Sequence, residues 1–392
     1  MRRFYPMAGL YVHIPFCKTR CVYCGFYSTT MLDMASSYLD ALYTELELRK
    51  DYLCNHLEPI ETVYIGGGTP SILGIHHLEK LITAIHSYCH HVSDSVGESG
   101  LVKEFTVECN PEDISKDFVD ALKAMGVNRI SMGVQTFDDK RLRFLNRRHS
   151  ALTAQKAIDT ILNGGIDNLS VDLMYGFPNQ TMHEWDTDIL TLLRFPVKHV
   201  SAYMLHYEED TLLWKMLQQN KVSELGDAVC AQMYYQLKDR LEASGFLQYE
   251  ISNFSKERYR SRHNSSYWEG VPYIGIGAAA HSYNIESRQW NVDNLHSYME
   301  ALSQGNRLFF DTEPLTKKDR YNEMVMLRLR TVKGLSMQML DSEFGEPFVS
   351  YCTEQASKYL QSRHLELHDG MLRLTRKALV ISDMVIRDLF ML

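Results

Sequence analysis

The sequence predicts an α/β protein, a partial and open barrel of about six βα units followed by a C-terminal, mainly helical, winged-helix-like module. Two patterns carry this reading. Strand and helix patterns alternate through the first two thirds of the 392 residues, and the chemistry-bearing residues recur where strands end. A third observation marks the module: the alternation stops near residue 250, and helices with one hairpin follow.

The elements follow in order. "LYVHI" (10–14) reads as a strand, and "SSYLDALYTELEL" (36–48) sets Leu39, Leu42 and Leu46 on one helical face. "TVYIGGG" (62–68) is a strand ending in glycines, and "HHLEKLITAIHSYC" (76–89) is helical. The polar "HVSDSVGESGL" (91–101) reads as a surface loop. "EFTVEC" (104–109) is a strand, followed by a helix in "SKDFVDALKAMG" (115–126) with Ser115 as N-cap and Gly126 as stop. "NRISMGV" (128–134), "NLSVDLMYG" (168–176) and "HVSAYML" (199–205) are further strands. Apolar strands separated by helices imply a parallel sheet with its site at the carboxyl ends of the strands. Six units are too few to close an eight-stranded barrel, so an open side is expected.

The division expected is a barrel over 1–250, a connection over 251–313 and the module over 314–392. In the module, "HLELHDGMLRL" (364–374) forms a hairpin around Asp369-Gly370. Winged-helix-like modules often bind nucleic acid. This one carries 12 Lys/Arg against 10 Asp/Glu with no basic run, so nucleic acid is not an expected partner.

Composition narrows the class. At 45% hydrophobic the chain can bury a large core, and a net charge of −8 argues against a general polyanion binder. The basic start "MRRFYPMAGLYVHIPFC" is broken by Pro6, His13 and Pro15, so secretion is not expected, and no apolar run is long enough for a membrane span. Of eight cysteines, three cluster and five are scattered, which is no disulfide framework. The expectation is a reduced, cytoplasmic protein, with peripheral membrane association left open.

The cluster is "YVHIPFCKTRCVYCGFYS" (11–28), where Cys17, Cys21 and Cys24 stand in C-x3-C-x2-C spacing. Three close thiolates can hold an iron–sulfur cluster and leave one iron without a protein ligand. A zinc site completed by a distant histidine is the plainer alternative.

With "GGGTPS", "ECNPE", "RISMGVQTFDD", "LNRRH" and "VDLMYGFP" following in order, the sequence resembles the radical S-adenosylmethionine (SAM) superfamily over nearly its whole length. It is most similar to the branch holding oxygen-independent coproporphyrinogen III oxidase and the heme chaperone HemW family. The resemblance implies a [4Fe-4S] cluster on Cys17, Cys21 and Cys24, with SAM on the open iron and a 5′-deoxyadenosyl radical on reduction. It implies SAM contacts from Tyr11, from Tyr23 beside the last cysteine, and from the loop Gly66, Gly67, Gly68, Thr69. It adds Glu108, Gln135, Asp172 and Arg147, with Arg148 as a competing candidate.

Two features separate the branches. The oxidase pattern carries a fourth cysteine two residues after the third, where this chain has Phe26. "HNSSYW" (263–268) has the H-N-x-x-Y-W form associated with heme in the chaperone group. The resemblance makes His263 a candidate axial ligand, with Tyr267 and Trp268 packing on the macrocycle. His281 stays open between ligand and structural roles, and the remaining histidines are read as structural. The expected function is a heme-binding chaperone that delivers heme to membrane-bound respiratory hemoproteins, with cluster and SAM serving regulation or dimerisation; a homodimer stays open. The alternatives are a radical enzyme of tetrapyrrole chemistry (coproporphyrinogen oxidase or heme-degrading methyltransferase) and a zinc-stabilised protein without SAM.

Overall fold

The computed structural model describes residues 7–53, 59–96, 102–305 and 309–392. Six strands, β1 (Ala8–Ile14), β2 (Ile60–Gly67), β3 (Glu104–Cys109), β4 (Arg129–Gln135), β5 (Leu169–Tyr175) and β6 (His199–Met204), lie in parallel succession. They alternate with helices, as the patterning predicts. The helix over Lys116–Ala124 starts where expected: the Ser115 hydroxyl accepts the Phe118 N–H. One helix is longer than expected. It spans Gly74–Val96, so His91–Val96 are helical, and 97–101 of the expected loop lie outside the described residues.

The sheet is wider than the sequence predicts. Beyond β6 come β7 (Leu247–Glu250) and β8 (Asn253–Ser255), with β8 antiparallel to β6. On the opposite flank β9 (Tyr273–Ile276) runs parallel to β1, and β10 (His281–Tyr283), β11 (Ser287–Asn291) and β12 (Phe310–Pro314) extend it antiparallel. The region 251–313, expected to be a connection, therefore supplies five strands. Their short length and polar content hide them from a periodicity reading. The order β12-β11-β10-β9-β1-β2-β3-β4-β5-β6-β8-β7 is linear, so the barrel stays open.

Strand alternation builds the interior. Leu10, Val12 and Ile14, Val63 and Ile65, Phe105 and Val107, Ile130 and Met132, and Val171 and Leu173 join the main apolar core. The intervening residues Tyr64, Glu108, Ser131, Asp172, Ser201 and Tyr203 line a cavity on the other face. The strands are thus apolar on one face only.

A second apolar core joins helices Lys317–Leu329, Met337–Phe344 and Glu346–Gln361 to a small sheet of β13 (Leu335–Ser336), β15 (Met371–Leu374) and β14 (Leu365–His368). Asp369 and Gly370 both have positive φ in the β14–β15 turn, as the Asp-Gly signal requires. Among the described residues no helix is long and apolar enough to cross a membrane.

Candidate functional site

A cavity of about 660 Å³ opens at the carboxyl ends of the parallel strands. Cys17, Cys21 and Cys24 line it together with Tyr23, Gly68, Thr69, Glu108, Gln135, Arg147 and Asp172. Residues 155 positions apart in the chain thus converge because each follows or ends a strand of one parallel array.

The cysteine loop is held from below by the glycines. Gly67 has φ +115, and a side chain there would meet the His13 ring. A Cβ on Gly68 would lie 2.7 Å from the Phe16 carbonyl oxygen and 2.9 Å from Cys17 Sγ. Glycine is needed here for close approach as well as for turning. Cys17, Cys21 and Cys24 are free thiols. Burial pushes Cys17 and Cys24 up. Donors face the sulfurs: Thr69 Oγ1 lies 3.6 Å from Cys17 Sγ, and Arg147 Nη1 lies 3.7 Å from Cys21 Sγ. Three thiols flanked by donors at one end of a roomy cavity fit an iron–sulfur cluster.

Arg147 is fixed in place. Its Nη2 donates to Asn110 Oδ1 at 2.7 Å and to the Gly133 carbonyl at 2.5 Å. Arg148 also lines the cavity, 3.9 Å from Glu112. Gln135 adopts φ +69 where the β4–β5 register slips. A left-handed glutamine costs about 1 kcal/mol, and such strain gathers at functional sites.

The two acids are tuned by burial. Desolvation pushes the Glu108 carboxyl up to about 7, against hydrogen bonds from Tyr64 Oη at 2.6 Å and Gly67 N–H at 3.1 Å. Desolvation likewise pushes Asp172 up to about 6, with the Ser131, Ser170 and Ser201 hydroxyls opposing it. Both therefore respond to any cation placed between them.

Five expected contacts, Tyr11, Gly66, His263, Tyr267 and Trp268, stay out of the lining. The Tyr11 hydroxyl is taken by His13 Nδ1 at 3.0 Å, and His13 Nε2 lies 3.0 Å from the Tyr27 carbonyl. His263 is completely buried, with Nδ1 2.9 Å from Thr62 Oγ1 and Nε2 2.8 Å from the Tyr267 hydroxyl. Both ring nitrogens are engaged, and burial pulls the imidazole down to about 3. Trp268 faces the C-terminal module, with the Arg330 guanidinium 5.4 Å from its ring centroid. In this arrangement His263 cannot offer a nitrogen to a metal.

The helix Arg262–Trp268 is locked to the sheet by a residue the sequence reading missed. The buried Glu104 carboxylate accepts the Ser261 hydroxyl and the Arg262 and His263 N–H groups, at 3.2, 2.9 and 2.9 Å. Its one cavity-lining member is Asn264. His281 is exposed beside Trp290, at 6.2 Å between ring centroids, and also lies outside the lining. Sequence reading also missed Tyr64, Ser131, Ser201, Tyr203 and His206. Strand alternation could have found the first four, since Tyr64 sits two before Gly66 and Ser131 four before Gln135.

Comparison with known proteins accords with this geometry. Residues 11–192 match the Radical SAM superfamily and 315–381 the HemN C-terminal domain. The heme chaperone HemW of Lactococcus lactis subsp. lactis is 31% identical over 96% of this chain and 95% of its own length. HemW of Bacillus subtilis is 34% identical over 86% and 87%, and that of Mycobacterium tuberculosis 32% over 97% and 94%. The coproporphyrinogen III oxidase structure from Escherichia coli shares the fold, with TM-score 0.82 at 21% identity over 98% of this chain and 91% of that one. The chain belongs to the heme chaperone HemW family of the radical SAM superfamily.

Proposed function

We propose that this chain is a heme-binding chaperone that carries a [4Fe-4S] cluster on Cys17, Cys21 and Cys24 with SAM beside it, and delivers heme to membrane-bound respiratory hemoproteins. The observation that carries the cofactor half is the convergence of three free thiols, the glycine loop, Gln135, Arg147 and the acids Glu108 and Asp172 on one cavity. When bound, the cluster supplies an electron and an open coordination site. The chain's own residues do the rest. Arg147 and Thr69 donate toward sulfur, and ionised Glu108 and Asp172 would hold the ammonium and ribose ends of SAM. Family membership and the Phe26 position support the chaperone over the oxidase, because a protein thiol is missing where the oxidase has its fourth cysteine.

The test is anaerobic reconstitution of the full chain followed by heme titration with and without SAM. A brown protein with stoichiometric iron and sulfide that binds heme one to one is expected. Sustained multiple-turnover conversion of coproporphyrinogen III would overturn the chaperone reading, and a colourless zinc protein would overturn the cluster.

A further inference from the structure

The chaperone reading leaves the iron ligand of the cargo unassigned, because His263 is closed. We propose that a metalloporphyrin dicarboxylate docks at the mouth of the cavity, with His206 on its iron, Phe26 against its ring, and Arg20 and Arg148 on its carboxylates. The proposal rests on the heme reading above and deepens it.

Among the described residues, His206 is the histidine that lines the cavity. It is exposed, and its ring nitrogens have no hydrogen-bond partner among the described residues. A histidine available for coordination needs a free nitrogen on an accessible face, and His206 has what His263 lacks. Its backbone is fixed. Leu205 beside it is buried, with its N–H on the Tyr175 carbonyl at 2.8 Å. Glu208, two residues on, packs at the cysteine loop, where a Cβ on Gly25 would lie 3.5 Å from it. His206 therefore stands on the rim that meets Cys24-Gly25-Phe26.

The other groups match the rest of such a ligand. Phe26 is 72% exposed beside the cluster thiols and lines the same cavity. An aromatic left in water at a cavity mouth gains by covering a flat apolar face. Arg20 lines the mouth with no carboxylate partner among the described residues, and Arg148 has only Glu112 at 3.9 Å. Two weakly compensated guanidinium groups in a chain of net charge −8 form a local anion site. A free imidazole, an exposed ring and two guanidinium groups suit a flat apolar ligand with a metal centre and carboxylate edge.

The experiment titrates the reconstituted full chain with hemin and, separately, with iron-free protoporphyrin, following visible absorption and the ferric electron-spin resonance spectrum. His206→Ala, which removes no side-chain hydrogen bond among the described residues, is expected to change the ferric spectrum and weaken hemin about tenfold or more while leaving iron-free porphyrin unchanged. Arg20→Gln with Arg148→Gln is expected to weaken both ligands. An unaltered spectrum and affinity in His206→Ala, with a ligand change in His263→Ala at wild-type stability, overturns this inference and leaves the chaperone reading standing. A wild-type chain that binds no hemin overturns both.

Discussion

The strand-end cavity and the Arg262–Trp268 helix both carry motifs that point to cofactors, and the fold treats them oppositely. The cavity keeps donors and acceptors facing open space: three free thiols, two acids with raised protonation ranges, and a strained glutamine. Around His263 the helix has its polar groups paired inside the protein, through Glu104, Thr62 and Tyr267. Polar groups that face a cavity keep capacity for a ligand, whereas a network closed around one side chain holds position. The difference teaches that a motif can serve a ligand from inside the wall. His263 pins its helix against β2, Tyr64 stacks on it at 5.3 Å, and the Tyr64 hydroxyl reaches Glu108. The helix also reaches the C-terminal module, where Arg328 donates to the Glu269 carbonyl at 3.0 Å.

The sharpest way to break this contrast is at the thiols. Replacing Cys17, Cys21 or Cys24 singly by Ala is expected to abolish the iron and visible absorption after reconstitution, with the fold intact by circular dichroism. Retention of a normal cluster by any of the three variants would sink the assignment. Next comes His263→Ala, which leaves the Thr62 and Tyr267 hydroxyls unpaired and opens a hole beside Gly9. It is expected to cost about 3 kcal/mol in urea unfolding, at constant slope. Full stability in that variant would make the helix a ligand site after all.

Glu108 sharpens the comparison through pH. Its carboxyl is raised from 4.5 to about 7 in the fold. Its stabilising contribution is therefore full below the unfolded value and is lost as pH climbs through about 7. Glu108→Gln should then gain roughly 1–3 kcal/mol over wild type near pH 8, discounted for water in the cavity, and little near pH 5. SAM affinity should move the other way, rising with pH through about 7 in wild type and staying flat in the variant, as calorimetry in two buffers would show. Smallest is Gln135→Gly, expected to gain up to about 1 kcal/mol by relieving its positive φ while weakening SAM. Loss of both stability and affinity would mean that the glutamine side chain mainly packs.

Much of this was legible in the chain. C-x3-C-x2-C spacing is local, so one loop dictates that the thiols meet. Helix faces, the Ser115 cap and the Asp-Gly turn are set within a few residues. Less was legible where polarity alternates: the strands look apolar, yet Ser131, Asp172 and Ser201 form a polar inner wall. The short strands β8–β12 are too brief for a periodic signal, and β9, which joins the others of its flank to the sheet, is a strand because it pairs with β1 over two hundred residues away. The sequence by itself determined the βα array, the cysteine loop and the absence of a fourth thiol, because these depend on spacing along one segment. Only the tertiary structure decided which histidine is open. His263 is sealed by Thr62 and Tyr267 while His206, at the rim, has no ring hydrogen bond among the described residues, and a side chain's access to a ligand depends on neighbours brought by the fold.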